Sequence, residues 1–180
     1  MAEGTVLVTG AAKRIGRAIS LRLSGAGYCI AVHYRGSSSE AEEVVATIEK
    51  SGGTAFAIQA DLADAESASN LVRLASIHGP LCGIVNNASL FFHDDIHSID
   101  SDSWDAHMDV NAKSPLLLIR SLNEILEEGH SACVVNVLDQ KIAEPNPDHL
   151  SYTASRLSLI HISEPTRPLY ISYAVLCLKK

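Results

Sequence analysis

The chain has 180 residues, a net charge of −7, and 47% hydrophobic against 19% charged residues. That composition supports one globular domain with a sizeable core and excludes a disordered chain. There is no run of Lys or Arg, which excludes a binder of nucleic-acid phosphates. The four cysteines, Cys29, Cys82, Cys133 and Cys177, stand far apart with no CxxC pair. This argues against a disulfide scaffold and a zinc ribbon, predicts no metal site, and suits a reducing cytosol. No apolar run approaches the roughly 18 residues of a membrane span. The N-terminus lacks a basic region followed by an apolar stretch, so the expectation is a cytoplasmic protein without a secretory signal.

Taken in chain order, Thr5 to Thr9 is a short β-branched run that predicts a strand. A helical pattern follows from Ile15 to Ser24, stopped by Gly25 and Gly27. Tyr28 to Tyr34 predicts a second strand. Ser37, Ser38 and Ser39 offer N-caps for a helix from Glu40 to Lys50, which Gly52-Gly53 ends. A third strand is predicted over Thr54–Ala60, a helix over Asp64–His78 and a fourth strand over Leu81–Val85. A long helix should run from about Asp100 to about Glu128 with a bend at Pro115, followed by a fifth strand over Ala132–Leu138. Strands alternate with helices, and each strand is a nearly continuous apolar run. That order predicts an α/β fold with an open, doubly wound parallel sheet, Rossmann-like, whose ligands bind beyond the carboxyl ends of the strands.

The loops at those ends are the informative ones. After the first strand comes Thr9-Gly10-Ala11-Ala12-Lys13-Arg14-Ile15-Gly16. Gly10 permits a tight turn and Gly16 a close approach of helix to sheet, so the helix N-terminus can face a pyrophosphate. An ordinary glycine-rich turn has the same look. After the second strand, His33-Tyr34-Arg35-Gly36-Ser37-Ser38 lacks the acid that holds ribose hydroxyls in NAD-preferring folds. Arg35 and Ser37 suit a 2′-phosphate instead, which favours NADPH. Asp61 and Leu62 follow the third strand and Asn86-Asn87-Ala88-Ser89-Leu90-Phe91 the fourth. After the fifth come Asp139 and, beyond it, Tyr152 with Arg156 one helical turn further on. A phenol has an ordinary pKa near 10, and a neighbouring cation favours its ionised form.

Together these loops resemble the short-chain dehydrogenase/reductase family, over about Val6 to Arg156. Within it the chain looks most like pteridine reductases and the related dihydromonapterin reductases. The marks are TGAAKRIG with Arg14, HYRGSS, NNASLF, and LDQK with Asp139 where most members carry serine. The resemblance implies hydride transfer from NADPH to a pterin. It implies that Gly10, Arg14, Ile15 and Gly16 bind the pyrophosphate side. Arg35 and Ser37 would hold the 2′-phosphate, with His33 and Tyr34 also binding the cofactor, Asp61 and Leu62 would hold the adenine, and Asn87 and Ala88 would line the ribose. Arg14, Ser89, Phe91, Asp139 and Tyr152 would contact the pterin, with Phe91 stacking on it. Tyr152 would donate the proton with Asp139 as partner, Asn111 would hold a relay water, and the full-length parent would be a tetramer.

Two features depart from the family. Arg156 stands where the family has lysine, and it lacks the compact ammonium that reaches the nicotinamide ribose. The second departure is residues 157–180, which lack the expected further strand, loop with a Pro-Gly turn, further helix and last strand. Residues 1–156 hold 20 acids against 11 bases, while the tail holds one acid, Glu164, against Arg167, Lys179 and Lys180. Leu157 to Arg167, LSLIHISEPTR, resembles the translation of a transposase-type sequencing adapter. The expectation is therefore an incomplete NADP-binding domain over 1–156 and a non-native tail. The fold should stop after its fifth strand, with that strand a bare edge, the Tyr152 helix cut short, and folding and activity poor. The enzyme alternative is a general carbonyl or 3-oxo reductase of the same family. The non-enzyme alternative is a nucleotide-binding fragment without catalysis.

Overall fold

The computed structural model describes residues 4–140, 145, 147–163 and 173–179. Its elements alternate as the sequence predicts: β1 (Thr5–Val8), α1 (Arg14–Ser24), β2 (Cys29–Tyr34), α2 (Ser38–Lys50), β3 (Ala55–Gln59), α3 (Ala65–Ala75), β4 (Leu81–Asn86), α4 (Ser101–Met108), α5 (Ser114–Ile125), β5 (Ser131–Val137), α6 (Leu150–Ser163) and β6 (Tyr173–Lys179). The sheet order is β3-β2-β1-β4-β5-β6. β1 to β5 pair in parallel. The strand order reverses between β1 and β4, which opens a crevice at their carboxyl ends.

Alternation along β1 builds a core on each face of the sheet. Leu7 joins Ile84, Val134, Leu71 and Val72 of α3, and Leu118 and Leu122 of α5. Val6 and Val8 join Ile30, Val32, and Val44 and Ile48 of α2. Both faces are covered, as the apolar strand runs require.

The long helix is not continuous. α4 and α5 are separated by a π-helical segment, Asp109–Lys113, and α5 ends at Ile125. Pro115 sits in the first turn of α5 rather than at a simple bend. It has no N–H for the carbonyl of Asn111, and its ring crowds that carbonyl. The wider turn just before it relieves both problems and projects Asn111 inward.

The fold does not stop at β5. β6 pairs antiparallel with it from Ser131↔Lys179 to Val137↔Tyr173. An edge ladder offers free N–H and C=O groups to any apolar, β-forming segment, and YAVLCLK is one. Leu176 and Leu178 pack against the core. The Tyr152 helix likewise runs 14 residues, to Ser163. Residues 164–172 of the tail lie outside the described residues. No helix among the described residues is long and apolar enough to cross a membrane.

Candidate functional site

The β1–α1 loop and the β4 loop are fastened across the crevice. Gly10 adopts a left-handed φ of 62°, a conformation glycine enters without strain. Its N–H donates to His33 Nδ1 at 3.0 Å, and the Ala11 N–H donates to the His33 carbonyl at 2.9 Å. Asn87 donates through Nδ2 to the carbonyls of Thr9 and Gly10, at 2.8 and 3.2 Å. Thr9 Oγ1 accepts from the N–H groups of Asn87 and Ala88. A Cβ on Gly16 would collide with the Gly10 carbonyl oxygen and stand 2.6 Å from Asn87 Nδ2. The first turn of α1 carries no acid and no side-chain cap, so its N–H groups face the crevice without an internal partner. Arg14 enters the helix with a φ of 49°, the mildly strained left-handed region for a non-glycine residue.

His33 is 2% exposed. Its Nδ1 accepts from Gly10, so Nε2–H donates to the Ala60 carbonyl at 3.2 Å. Burial pushes its pKa down to about 4, against weaker opposition from Ala60 and Asp61. It is a neutral brace for the glycine turn.

A cleft of about 610 Å³ runs from this turn to α6. Of the residues the sequence singles out, Gly10, Arg14, Ile15, Gly16, His33, Arg35, Asp61, Leu62, Asn87, Ala88, Ser89, Phe91, Asp139, Tyr152 and Arg156 line it. Tyr34 packs instead against the α2-side core, and Ser37 precedes α2 outside the lining. Asp61 Oδ1 accepts from the Ala63 N–H at 3.0 Å. Lys13, Leu90, Val110, Val137 and Leu138 also line the cleft. Lys13, Leu90 and Leu138 belong to the motifs TGAAKRIG, NNASLF and LDQK, while Val137 and Val110 adjoin Leu138 and Asn111.

At the far end Tyr152 Oη donates to Asp139 Oδ2 at 3.1 Å. Burial raises the phenol pKa; Arg156 pulls it down and Asp139 raises it further. Arg156 is 3% exposed, with Cζ 5.5 Å from the Tyr152 ring centroid. Burial lowers its pKa against the pull of Tyr152 and Asp139. Its Nε has no hydrogen-bond partner among the described residues. Asn111 lies behind the lining. Its Oδ1 accepts from the Leu90 N–H at 2.8 Å, and its Nδ2 donates to the Leu90 carbonyl at 2.9 Å and to Ser155 Oγ at 3.1 Å. The side chain thus brackets the β4 loop to α6. One face of Phe91 is covered by His149, centroids 4.1 Å apart and planes 20° apart, and Tyr152 meets the ring edge-on at 4.7 Å. No group of three or more metal-capable side chains gathers among the described residues.

A sequence profile described as "short chain dehydrogenase" matches residues 4–176. Staphylococcus aureus 3-oxoacyl-[acyl-carrier-protein] reductase FabG is 33% identical over 161 residues, covering 89% of this chain and 65% of its own length. The chain thus spans just under two thirds of that curated relative. The crystal structure of FolM alternative dihydrofolate reductase 1 from Brucella suis, in complex with NADP, superposes with a TM-score of 0.87. It is 38% identical, covering 92% of this chain and 69% of that one. The landomycin C-6 ketoreductase LanV, with bound NADP and rabelomycin, superposes at 0.82 and 30% identity, covering 90% and 68%.

Proposed function

The chain belongs to the short-chain dehydrogenase family, and from that premise we propose that its full-length parent is an NADPH-dependent reductase of a pterin ring, an activity that is weak in this chain. The observation that carries the reading is the Asp139–Tyr152 hydrogen bond at the end of a cleft that begins at a glycine turn. A serine at position 139 would suit a developing alkoxide. A carboxylate suits the ring nitrogens and amino groups of a pterin, which donate hydrogen bonds. The 38% identity to an alternative dihydrofolate reductase supports the same choice.

The residues present fit NADPH. The crevice that a Gly16 side chain would fill, and the uncapped N–H groups of α1, suit a pyrophosphate. Gly10, Arg14, Ile15 and Gly16 would hold it, with His33 bracing the turn. Arg35, exposed at the rim, would meet the 2′-phosphate beside Ser37, with Tyr34 behind them. Asp61 and Leu62 would flank the adenine, and Asn87 and Ala88 the ribose. NADPH, when bound, supplies the hydride. Tyr152, held protonated by burial and by Asp139, supplies the proton. Arg14, Ser89 and Phe91 would line the pterin.

The test is NADPH oxidation with a dihydropterin against a 3-oxoacyl thioester. A preference for the dihydropterin of at least about tenfold in kcat/KM supports the reading. The second reading, a carbonyl or 3-oxoacyl reductase, draws on the identity to FabG and predicts the reverse. Binding of NADPH without turnover of either would favour a non-catalytic fragment. The division of the chain at 156/157 is part of the proposal. Resequencing the source DNA from codon 140 tests it, with a lysine codon at 156 and a family-like continuation expected. A parent that assembles as a homo-oligomer in the cytoplasm completes the reading.

A further inference from the structure

Helix α6 begins with a donor problem. The first N–H groups of a helix have no internal acceptor, and the residue at its start, His149, has no side-chain oxygen to cap them. The first internal bond of this turn runs from the Thr153 N–H to the His149 carbonyl, at 2.9 Å. Three donors before it, on His149, Leu150 and Ser151, find one distant residue. The Asp94 backbone carbonyl accepts from the N–H groups of His149 and Leu150, at 2.7 and 3.4 Å. The Asp94 carboxylate accepts from the Ser151 N–H at 3.2 and 3.3 Å, across 57 positions of sequence. Ser103 Oγ of α4 donates to the same carboxylate at 3.1 Å.

Asp94 is 1% exposed. Burial works against its charge, but hydrogen bonds from Ser151 and Ser103 and the nearby His107 outweigh it, holding its pKa below the usual carboxylate range. A negative charge there also complements the helix dipole. Next to it, His149 is held at a left-handed φ of 59°. Such backbone persists where its surroundings over-determine it. Here those surroundings are the Nδ1–H···O bond to Phe92, 2.8 Å, and the stack on Phe91. His107 closes the bracket, accepting through Nε2 from the Phe92 N–H at 3.1 Å and donating through Nδ1 to the Ser103 carbonyl at 2.8 Å.

We infer that Asp94 is a positioning residue for Tyr152: it caps the helix one residue before the phenol from the same loop that carries Ser89 and Phe91, so the substrate wall and the proton donor are set as one unit. The inference rests on the reading of Tyr152 as proton donor given above.

The test compares Asp94→Asn, Asp94→Ala and Ser103→Ala in two independent readouts. In NADPH-linked turnover, kcat should fall about tenfold in Asp94→Asn and about a hundredfold in Asp94→Ala, with KM for NADPH within about twofold. Asn should rescue part of the loss because its carbonyl can still accept from Ser151, and Ser103→Ala should lose about twofold to threefold. In amide exchange, read without any substrate, the Ser151 N–H should lose about tenfold or more of its protection in Asp94→Asn, while Leu7 and Val32 keep theirs. Unchanged kcat in Asp94→Ala, or exchange that rises equally at Leu7 and Ser151, overturns the inference. If the wild-type chain reduces no pterin, the functional reading fails, and the exchange readout still decides the role of Asp94.

Discussion

The Tyr152 hydroxyl donates its hydrogen bond to the Asp139 carboxylate, 3.1 Å away, so the two groups cannot both ionise comfortably. Burial and Asp139 together hold the phenol protonated against the pull of Arg156. That is the state a proton donor needs. Tyr152→Phe should therefore lower turnover by about 10²- to 10⁴-fold and leave NADPH binding within about threefold. Asp139→Asn removes a charge that raises the phenol, so the Tyr152 pKa should fall. A spectrophotometric phenol titration, with Tyr152→Phe as blank, reads that shift.

Arg156 is a buried cation with an Nε that lacks a partner among the described residues. An unmatched buried donor is costly, by about 1–3 kcal/mol. Arg156→Lys keeps the charge on a compact group and should raise turnover by about tenfold or more. Equal or lower turnover in steady-state assays would make the arginine a working part of the site.

His33 links fold stability to acid. Its pKa is about 4 in the folded chain against 6.5 for an ordinary histidine. Between these values the unfolded chain binds more protons than the folded one, so stability is full above pH 6.5 and falls as pH drops toward 4. The full loss is about 3 kcal/mol. Urea unfolding at a series of pH values should show this slope, and His33→Asn should remove most of it.

Gly16→Ala puts a Cβ against the Gly10 carbonyl and Asn87 Nδ2. Neither atom is the end of a long flexible side chain, so the turn must shift. The variant should lose about 1–3 kcal/mol of stability. Its NADPH affinity should also fall, as read by thermal melts with and without the cofactor.

Arg35 is the cation at the mouth of the cleft beyond β2. Arg35→Ala should weaken NADPH by about 10- to 100-fold, the range of charge-assisted hydrogen bonds, and leave NADH within about twofold. Fluorescence titration with both cofactors measures the difference.

The parallel sheet was legible because β1 to β5 are apolar runs punctuated by Gly10, Gly27 and Gly52-Gly53. The cleft was legible because its motifs sit at strand ends, where topology fixes their side of the sheet. What escaped was long-range bonding. Nothing local marks Asp94 as the cap of a helix 57 positions on. Nothing marks Asn87 as a fastener or His33 as a brace, since each acts through backbone groups that the fold alone brings near. The π-helical turn escaped because periodicity reads a helix and not its hydrogen-bond step. β6 was not expected in the sheet, although Ile171–Leu178 has the pattern of a strand, because its pairing needs an edge that exists once β5 is in place.

The most direct test follows NADPH absorbance with purified protein, in parallel with a dihydropterin and a 3-oxoacyl thioester, before and after Tyr152→Phe. The account predicts oxidation with the dihydropterin, at least about tenfold preferred in kcat/KM, and its loss in Tyr152→Phe. Preferred reduction of the thioester, or turnover that survives Tyr152→Phe, would contradict it.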